Sequence, residues 1–254
     1  MKRLENKVAI ITGGAGSIGK TTARLFLDEG AKVFIVDLSE EALKKTAEEL
    51  GNPKNLAWAA ADVTQSADVQ KYAAEAEKQF GKIDIFFNNA GIEGVVKPIT
   101  EYPEEVFDKV IAVNVRGAWL GIKYVLPRMK DGGSIINTSS VAGINGSPDV
   151  SAYITSKHAV TGIMRAIAVE AAPRRIRVNS VHPSPVDNRM MRSLEEGFAP
   201  GHGAEAKKNL EKTIPLGRYA EPLEIARLVL FLGSDDSQFI TGTTQVIDGG
   251  LSVM

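Results

Sequence analysis

From residue 8 to residue 247, short apolar runs alternate with longer amphipathic stretches. The runs at 8–11, 33–36, 56–60, 83–87, 133–138, 176–181 and 244–247 read as strands. The segments 18–29, 40–50, 67–80, 152–171 and 223–232 read as helices, with a further long helix within 104–129. Strands that alternate with helices imply right-handed crossovers, and those require a parallel sheet covered on both faces. The expected fold class is therefore α/β, a doubly wound parallel sheet. No Pro/Gly/Ser-rich linker, low-complexity tract or charge block divides the 254 residues, so a single domain over 1–254 is expected. The rhythm breaks between Pro183 and Pro215 into helical pieces and flexible joints. An insertion beside the carboxyl ends of late strands is where a substrate lid sits, here about 188–213; the alternative is a surface loop.

Composition narrows the partners. With 44% hydrophobic and 24% charged residues and a net charge of -1, nothing electrostatic favours nucleic acid or an anionic membrane. Partners should be small molecules or further copies of the chain. The absence of cysteine excludes disulfides, thiolate metal sites and a Cys nucleophile, and suits a cytoplasmic protein. His158, His182 and His202 have no metal-ligand spacing, so no metal is expected. The charged start at residues 1–7 lacks the apolar core of a signal peptide, and no apolar run approaches the roughly 20 residues that span a bilayer.

Thr12-Gly13-Gly14-Ala15-Gly16-Ser17-Ile18-Gly19 follows the first apolar run, as a dinucleotide-binding turn does. Gly13 permits a tight turn, Gly19 lets the next helix approach the sheet, and the amides around Ser17 and Ile18 face a pyrophosphate. Asp37 ends the second run, where a carboxylate accepts from a ribose 2′-OH and repels a 2′-phosphate. Leu38 and Ser39 follow it, with no Arg to pair such a phosphate, so NAD is preferred over NADP. A strand-end cap on the next helix is the other reading of Asp37. Asp62-Val63 and Asn88-Asn89-Ala90-Gly91 also follow apolar runs, at strand ends around one crevice. Asp62 and Val63 suit an adenine ring and its amino group, while Asn89, Ala90 and Gly91 read equally as cofactor contacts or turn formers.

The chemical end is Tyr153-Ile154-Thr155-Ser156-Lys157, with Ser140 thirteen residues upstream. On a helix Tyr153 and Lys157 share a face. A phenol of pKa roughly 10 is a poor base near neutrality unless a positive charge stabilises the phenolate, and Lys157 can supply one. Tyr153 then exchanges the hydroxyl proton while hydride passes to or from a nicotinamide, and Ser140 holds the substrate oxygen. Asn114 lies among apolar residues, so its amide needs partners. Either it holds water for a proton relay through Lys157 or it bonds to neighbouring backbone.

The turn at 12–19, Asp62-Val63, Asn88 to Gly91, Asn114, Ser140, Tyr153-x-x-x-Lys157, Pro183 and Asp248-Gly249-Gly250 together resemble a classical short-chain dehydrogenase/reductase along nearly the whole chain. The resemblance implies a Rossmann fold without a separate substrate domain, a catalytic tetrad of Asn114, Ser140, Tyr153 and Lys157, and a homotetramer. It also implies ribose contacts from Tyr153 and Lys157, and cofactor contacts from Pro183 and Val186, the latter on the nicotinamide amide. Three departures stand out: Ser17 where the family has Gly, Ser184 after Pro183 where it has Gly, and Asn188 where a Thr touches the nicotinamide amide.

An oxidoreductase interconverting a secondary alcohol and a ketone with NAD is the expected function. A 3-oxoacyl-thioester ketoreductase and a non-catalytic NAD-sensing regulator are the alternatives. Toward substrate, Glu93 and Asn145 are expected to meet a polar substituent. Ile144 is expected to face the pocket, and Met190, Met191, Leu194 and Phe198 to form an apolar wall.

Overall fold

The computed structural model describes residues 2–253. Seven strands form one parallel sheet in the order β3-β2-β1-β4-β5-β6-β7. They are β1 (Val8–Thr12), β2 (Lys32–Asp37), β3 (Leu56–Ala60), β4 (Ile83–Asn88), β5 (Met129–Thr138), β6 (Arg177–Pro183) and β7 (Thr244–Ile247). Among the described residues the helices are α1 (Ser17–Asp28), α2 (Glu40–Glu49), α3 (Ser66–Phe80), α4 (Glu104–Ile111), α5 (Ala118–Val125), α6 (Ser151–Ala171), α7 (Arg189–Phe198), α8 (Gly203–Thr213) and α9 (Pro222–Gly233). The chain reverses direction across the sheet between β1 and β4, which opens a crevice at their carboxyl ends.

The central strands are apolar on both faces because both faces are covered. Ala9, Ile11, Ile35 and Phe87 pack with Phe26 of α1 and Ile225 and Val229 of α9. Ile10, Phe34, Phe86 and Ile135 pack on the other face with Tyr72 of α3, Leu120 of α5 and Met164 of α6. No helix among the described residues is long and apolar enough to cross a membrane.

Three elements differ from the sequence expectation. β5 begins at Met129 rather than 133, because Gly132 takes a positive φ of 82° and the register shifts against β4 between Ile83 and Ile85, adding an irregular start. The long helix within 104–129 is broken by a π-helical stretch, Ala112–Gly117, which holds Asn114. The helical pieces expected in 188–213 are two full helices in place of short fragments: Asn188 caps α7 by accepting from the Met191 N–H (3.0 Å), and residues 199–202 turn the chain into α8.

Candidate active site

A cavity of about 910 Å³ runs along the carboxyl ends of the strands, from Asp37 at one end to the α7 and α8 helices at the other. Gly13, Ser17, Ile18, Asp37, Leu38, Asp62, Val63, Asn89, Ala90, Gly91, Pro183, Val186 and Asn188 all line it. Gly19 does not; it holds the turn from behind. A Cβ there would fall inside the Gly13 carbonyl oxygen, and Gly13 itself needs a positive φ of 65°. α1 thereby starts close to the sheet, with Gly16 and Ser17 at the cavity wall. The serine at 17 is the first helical residue and Gly16 is the N-cap, so the shifted glycine keeps the helix entrance uncluttered. A glycine cradle closed to side chains, an open helix N-terminus and a carboxylate at the next strand end fit a dinucleotide.

Asp37 does not cap α2; the Ser39 hydroxyl does, accepting from the Ala42 N–H at 3.1 Å. The Asp37 carboxylate instead accepts from the Ala15 N–H (3.0 Å) and the Leu38 N–H (2.8 Å), which points it across the glycine turn. Thr12 pins the switch point. Its hydroxyl accepts from the Asn89 and Ala90 N–H groups at 2.9 and 3.1 Å, and Thr138 donates to the Asn89 side chain at 3.0 Å.

Tyr153, Lys157 and Ser140 reach the same cavity from α6 and the end of β5. One helical turn stacks the ammonium over the phenol, with Lys157 Nζ 5.3 Å from the ring centre. Nζ donates to the Thr138 carbonyl at 2.9 Å. Burial pushes the Lys157 pKa down to about 8. Burial also pushes Tyr153 up to about 12; the Ser140 hydroxyl pulls against this and the Glu93 carboxylate adds to it. The phenol thus shifts opposite to the lowering expected from Lys157, since desolvation penalises phenolate and ammonium alike.

Several sequence expectations need correction. Asn114 does not reach the cavity. Its Oδ1 accepts from the Ile92 N–H at 2.8 Å, and its Nδ2 donates to the Ile92 carbonyl (2.9 Å) and Ser156 Oγ (3.0 Å). A π-helical turn buries this amide against the strand-end loop. Glu93 and Ile144 lie off the cavity wall. Glu93 is buried and turned toward Arg189 Nη1 at 3.3 Å, and Ile144 sits outside the short turn after Ser140. Asn145, Met190, Met191, Leu194, Phe198 and Leu210 do line the cavity, as does Arg189, which sequence reasoning passed over. Thr138 was also missed, although its place at the end of an apolar run was a usable signal. His202 faces outward at the start of α8, and His158 lies on the exposed face of α6. Among the described residues no group of His, Asp or Glu is arranged to hold a metal ion.

Fold and cavity together define a dinucleotide-binding oxidoreductase. The family model described as Enoyl-(Acyl carrier protein) reductase matches residues 13–252. Levodione reductase of Leifsonia aquatica is 38% identical over 255 residues, covering 98% of this chain and 96% of that one. Cyclohexanol dehydrogenase of Acinetobacter sp. (strain SE19) is 37% identical over 250 residues, covering 97% and 95%. The crystal structure of levodione reductase superposes with a TM-score of 0.96 over 99% of each chain, at 38% identity. That of 3-ketoacyl-(acyl-carrier-protein) reductase from Brucella melitensis complexed with NADH gives 0.89 at 32% identity, over 98% of this chain and 99% of that one. The chain belongs to the classical short-chain dehydrogenase/reductase family. It is an oxidoreductase of the alcohol–ketone type.

Proposed function

We propose that the protein interconverts a small or medium secondary alcohol and its ketone with NAD, Tyr153 acting as general acid/base. The observation that carries this reading is the convergence of Tyr153, Lys157 and Ser140 on the cavity that Asp37 and the α1 entrance also line. NAD, when bound along that wall, accepts or returns the hydride. Gly13, Ser17 and Ile18 hold its pyrophosphate; Asp37 takes the ribose hydroxyls and turns away a 2′-phosphate, with Leu38 beside it. Asp62 and Val63 serve the adenine, and Asn89, Ala90, Gly91, Pro183, Val186 and Asn188 the remaining length. Asn188 already spends its side-chain oxygen on the α7 cap, which leaves its amide nitrogen for the carboxamide.

Ser140 holds the substrate oxygen and Tyr153 gives it a proton in reduction or takes one in oxidation. Lys157 binds the ribose and favours the phenolate. Asn114 acts by fixing Ile92 and the α6 turn at Ser156, so its part in the tetrad is to position the others. Residues 188–213 form the substrate lid of a single domain, with Met190, Met191, Leu194 and Phe198 as its apolar wall and Asn145 and Arg189 as polar contacts. The protein works in the cytoplasm as a homotetramer. A 3-oxoacyl-thioester substrate is the second reading, favoured by the Brucella relative.

Nicotinamide absorbance, followed with NAD and NADP over a panel of secondary alcohols, ketones and a 3-oxoacyl thioester, tests these points together. Turnover is expected with NAD and lost in Tyr153→Phe, while NADH binding is retained. Turnover that survives in Tyr153→Phe removes that residue from its role, and preference for NADP removes Asp37 from its own.

A further inference from the structure

His182 is fully buried one residue before the end of β6, and no step above uses it. Its ring joins two serines: Nδ1 lies 2.8 Å from the Ser140 carbonyl oxygen and Nε2 lies 2.7 Å from Ser180 Oγ. A carbonyl oxygen only accepts, so Nδ1 carries the proton, and the neutral ring accepts from the Ser180 hydroxyl at Nε2. Burial holds the imidazole pKa down, and the positive charges of Lys157, Arg165 and His158 add to this against the opposing pull of the Ser140 carbonyl. The neutral tautomer is therefore the stable one.

The neighbouring residue completes the grip. Ser140 Oγ donates to the Pro183 carbonyl at 3.3 Å and accepts from the Ala142 N–H at 3.1 Å. The second lone pair of the Ser140 carbonyl takes the Gly143 N–H at 2.8 Å. β6 thus holds Ser140 at two points, its carbonyl through His182 and its hydroxyl through Pro183. A residue that only filled space here needs no polar atom, and a buried imidazole is costly unless both nitrogens find partners. Both do, and one partner is the residue whose hydroxyl acts on Tyr153.

We infer that His182 is a positioning residue for the reaction: its Nδ1–H fixes the Ser140 peptide at the cavity wall, so that the hydroxyl has only to turn from the Pro183 carbonyl to meet the substrate oxygen. The inference rests on the role given to Ser140 above. Two variants separate this from a structural role. In His182→Asn the amide nitrogen takes the place of Nδ1 and keeps the Ser140 contact; in His182→Gln it reaches the place of Nε2 and keeps only Ser180. Turnover, NADH affinity by fluorescence and thermal midpoint are measured on both beside the wild type and Tyr153→Phe. His182→Gln is expected to lose kcat by about 10-fold to 100-fold, the range for a reacting group displaced by up to an ångström. His182→Asn retains most of it, and the two variants match in NADH affinity and thermal midpoint. Equal kcat in the two variants, whether high or low, overturns the positioning role and leaves the enzyme reading intact. Turnover that survives in Tyr153→Phe strikes the reading of the site itself, and the inference falls with it.

Discussion

Lys157 is a buried cation whose nearest hydrogen-bond partner is a neutral carbonyl, and that makes it a cost to the fold as well as a tool of the site. Its pKa falls from 10.5 to about 8, so between those values the unfolded chain binds more protons than the folded one. Stability contributed by this group therefore rises with pH across that window, and the penalty is full below it. Tyr153 shifts the opposite way, and above its ordinary value near 10 it begins to reduce stability as pH rises, because the unfolded phenol ionises first. Lys157→Met removes the buried charge and keeps the length of the side chain. The variant is expected to gain on the wild type most near neutrality, by a few degrees in thermal midpoint. The gap should close from about pH 8 toward pH 10, and a gap that stays constant over that window would show that the ammonium is not what burial penalises.

At the scale of single elements, the approach of α1 to β1 is set by one missing methyl. Gly19→Ala puts a Cβ against the Gly13 carbonyl oxygen, and the turn must open to admit it. A loss of about 1–3 kcal/mol in unfolding free energy is expected, as for other overpacked sites, with weaker NADH binding if the turn is the phosphate cradle proposed above. Urea denaturation and fluorescence titration of the variant check both, and unchanged NADH affinity would separate the turn from the cofactor. This glycine was legible in the sequence, as were Asp37, Ser140, Tyr153 and Lys157, because strand ends and helix faces follow from periodicity. What could not be read was a matter of a few degrees or one lone pair. The π-helical stretch at 112–117 comes from an extra residue in a turn, which leaves no trace in hydrophobic spacing, and it is what moves Asn114 behind the wall. Glu93 was placed toward substrate from its type alone, whereas Arg189, distant in sequence, draws it aside. The helical pieces of 188–213 were legible, but not where the first one starts, since the Asn188 cap is a residue that also suits a loop.

For the whole molecule, the parallel sheet gathers groups from the ends of β1 to β6 into one crevice, and among the exposed large apolar residues two sets bear on assembly. One lies on the helical face: Phe107 of α4, Trp119 of α5 and Val169 of α6. The other belongs to the last edge of the sheet, where Val246 of β7 is exposed on a strand with an unpaired edge and Phe239, in the segment that leads into it, is fully exposed. Asp248 just beyond β7 holds the following turn, accepting from the Gly250 and Ser252 N–H groups at 2.9 and 2.7 Å. An edge strand with exposed aromatic surface is a site of association unless it is covered. One self-complementary patch makes a dimer, and two on different faces generate a tetramer with three perpendicular two-fold axes. The proposed homotetramer uses both regions. Light scattering on the purified protein is expected to give the mass of four chains. Trp119→Glu and Phe239→Glu, each breaking one kind of contact, are expected to give two chains apiece, and the double variant a single chain. A tetramer that survives Phe239→Glu would place its second interface elsewhere, and a wild type of two chains would leave one of the two patches without a partner.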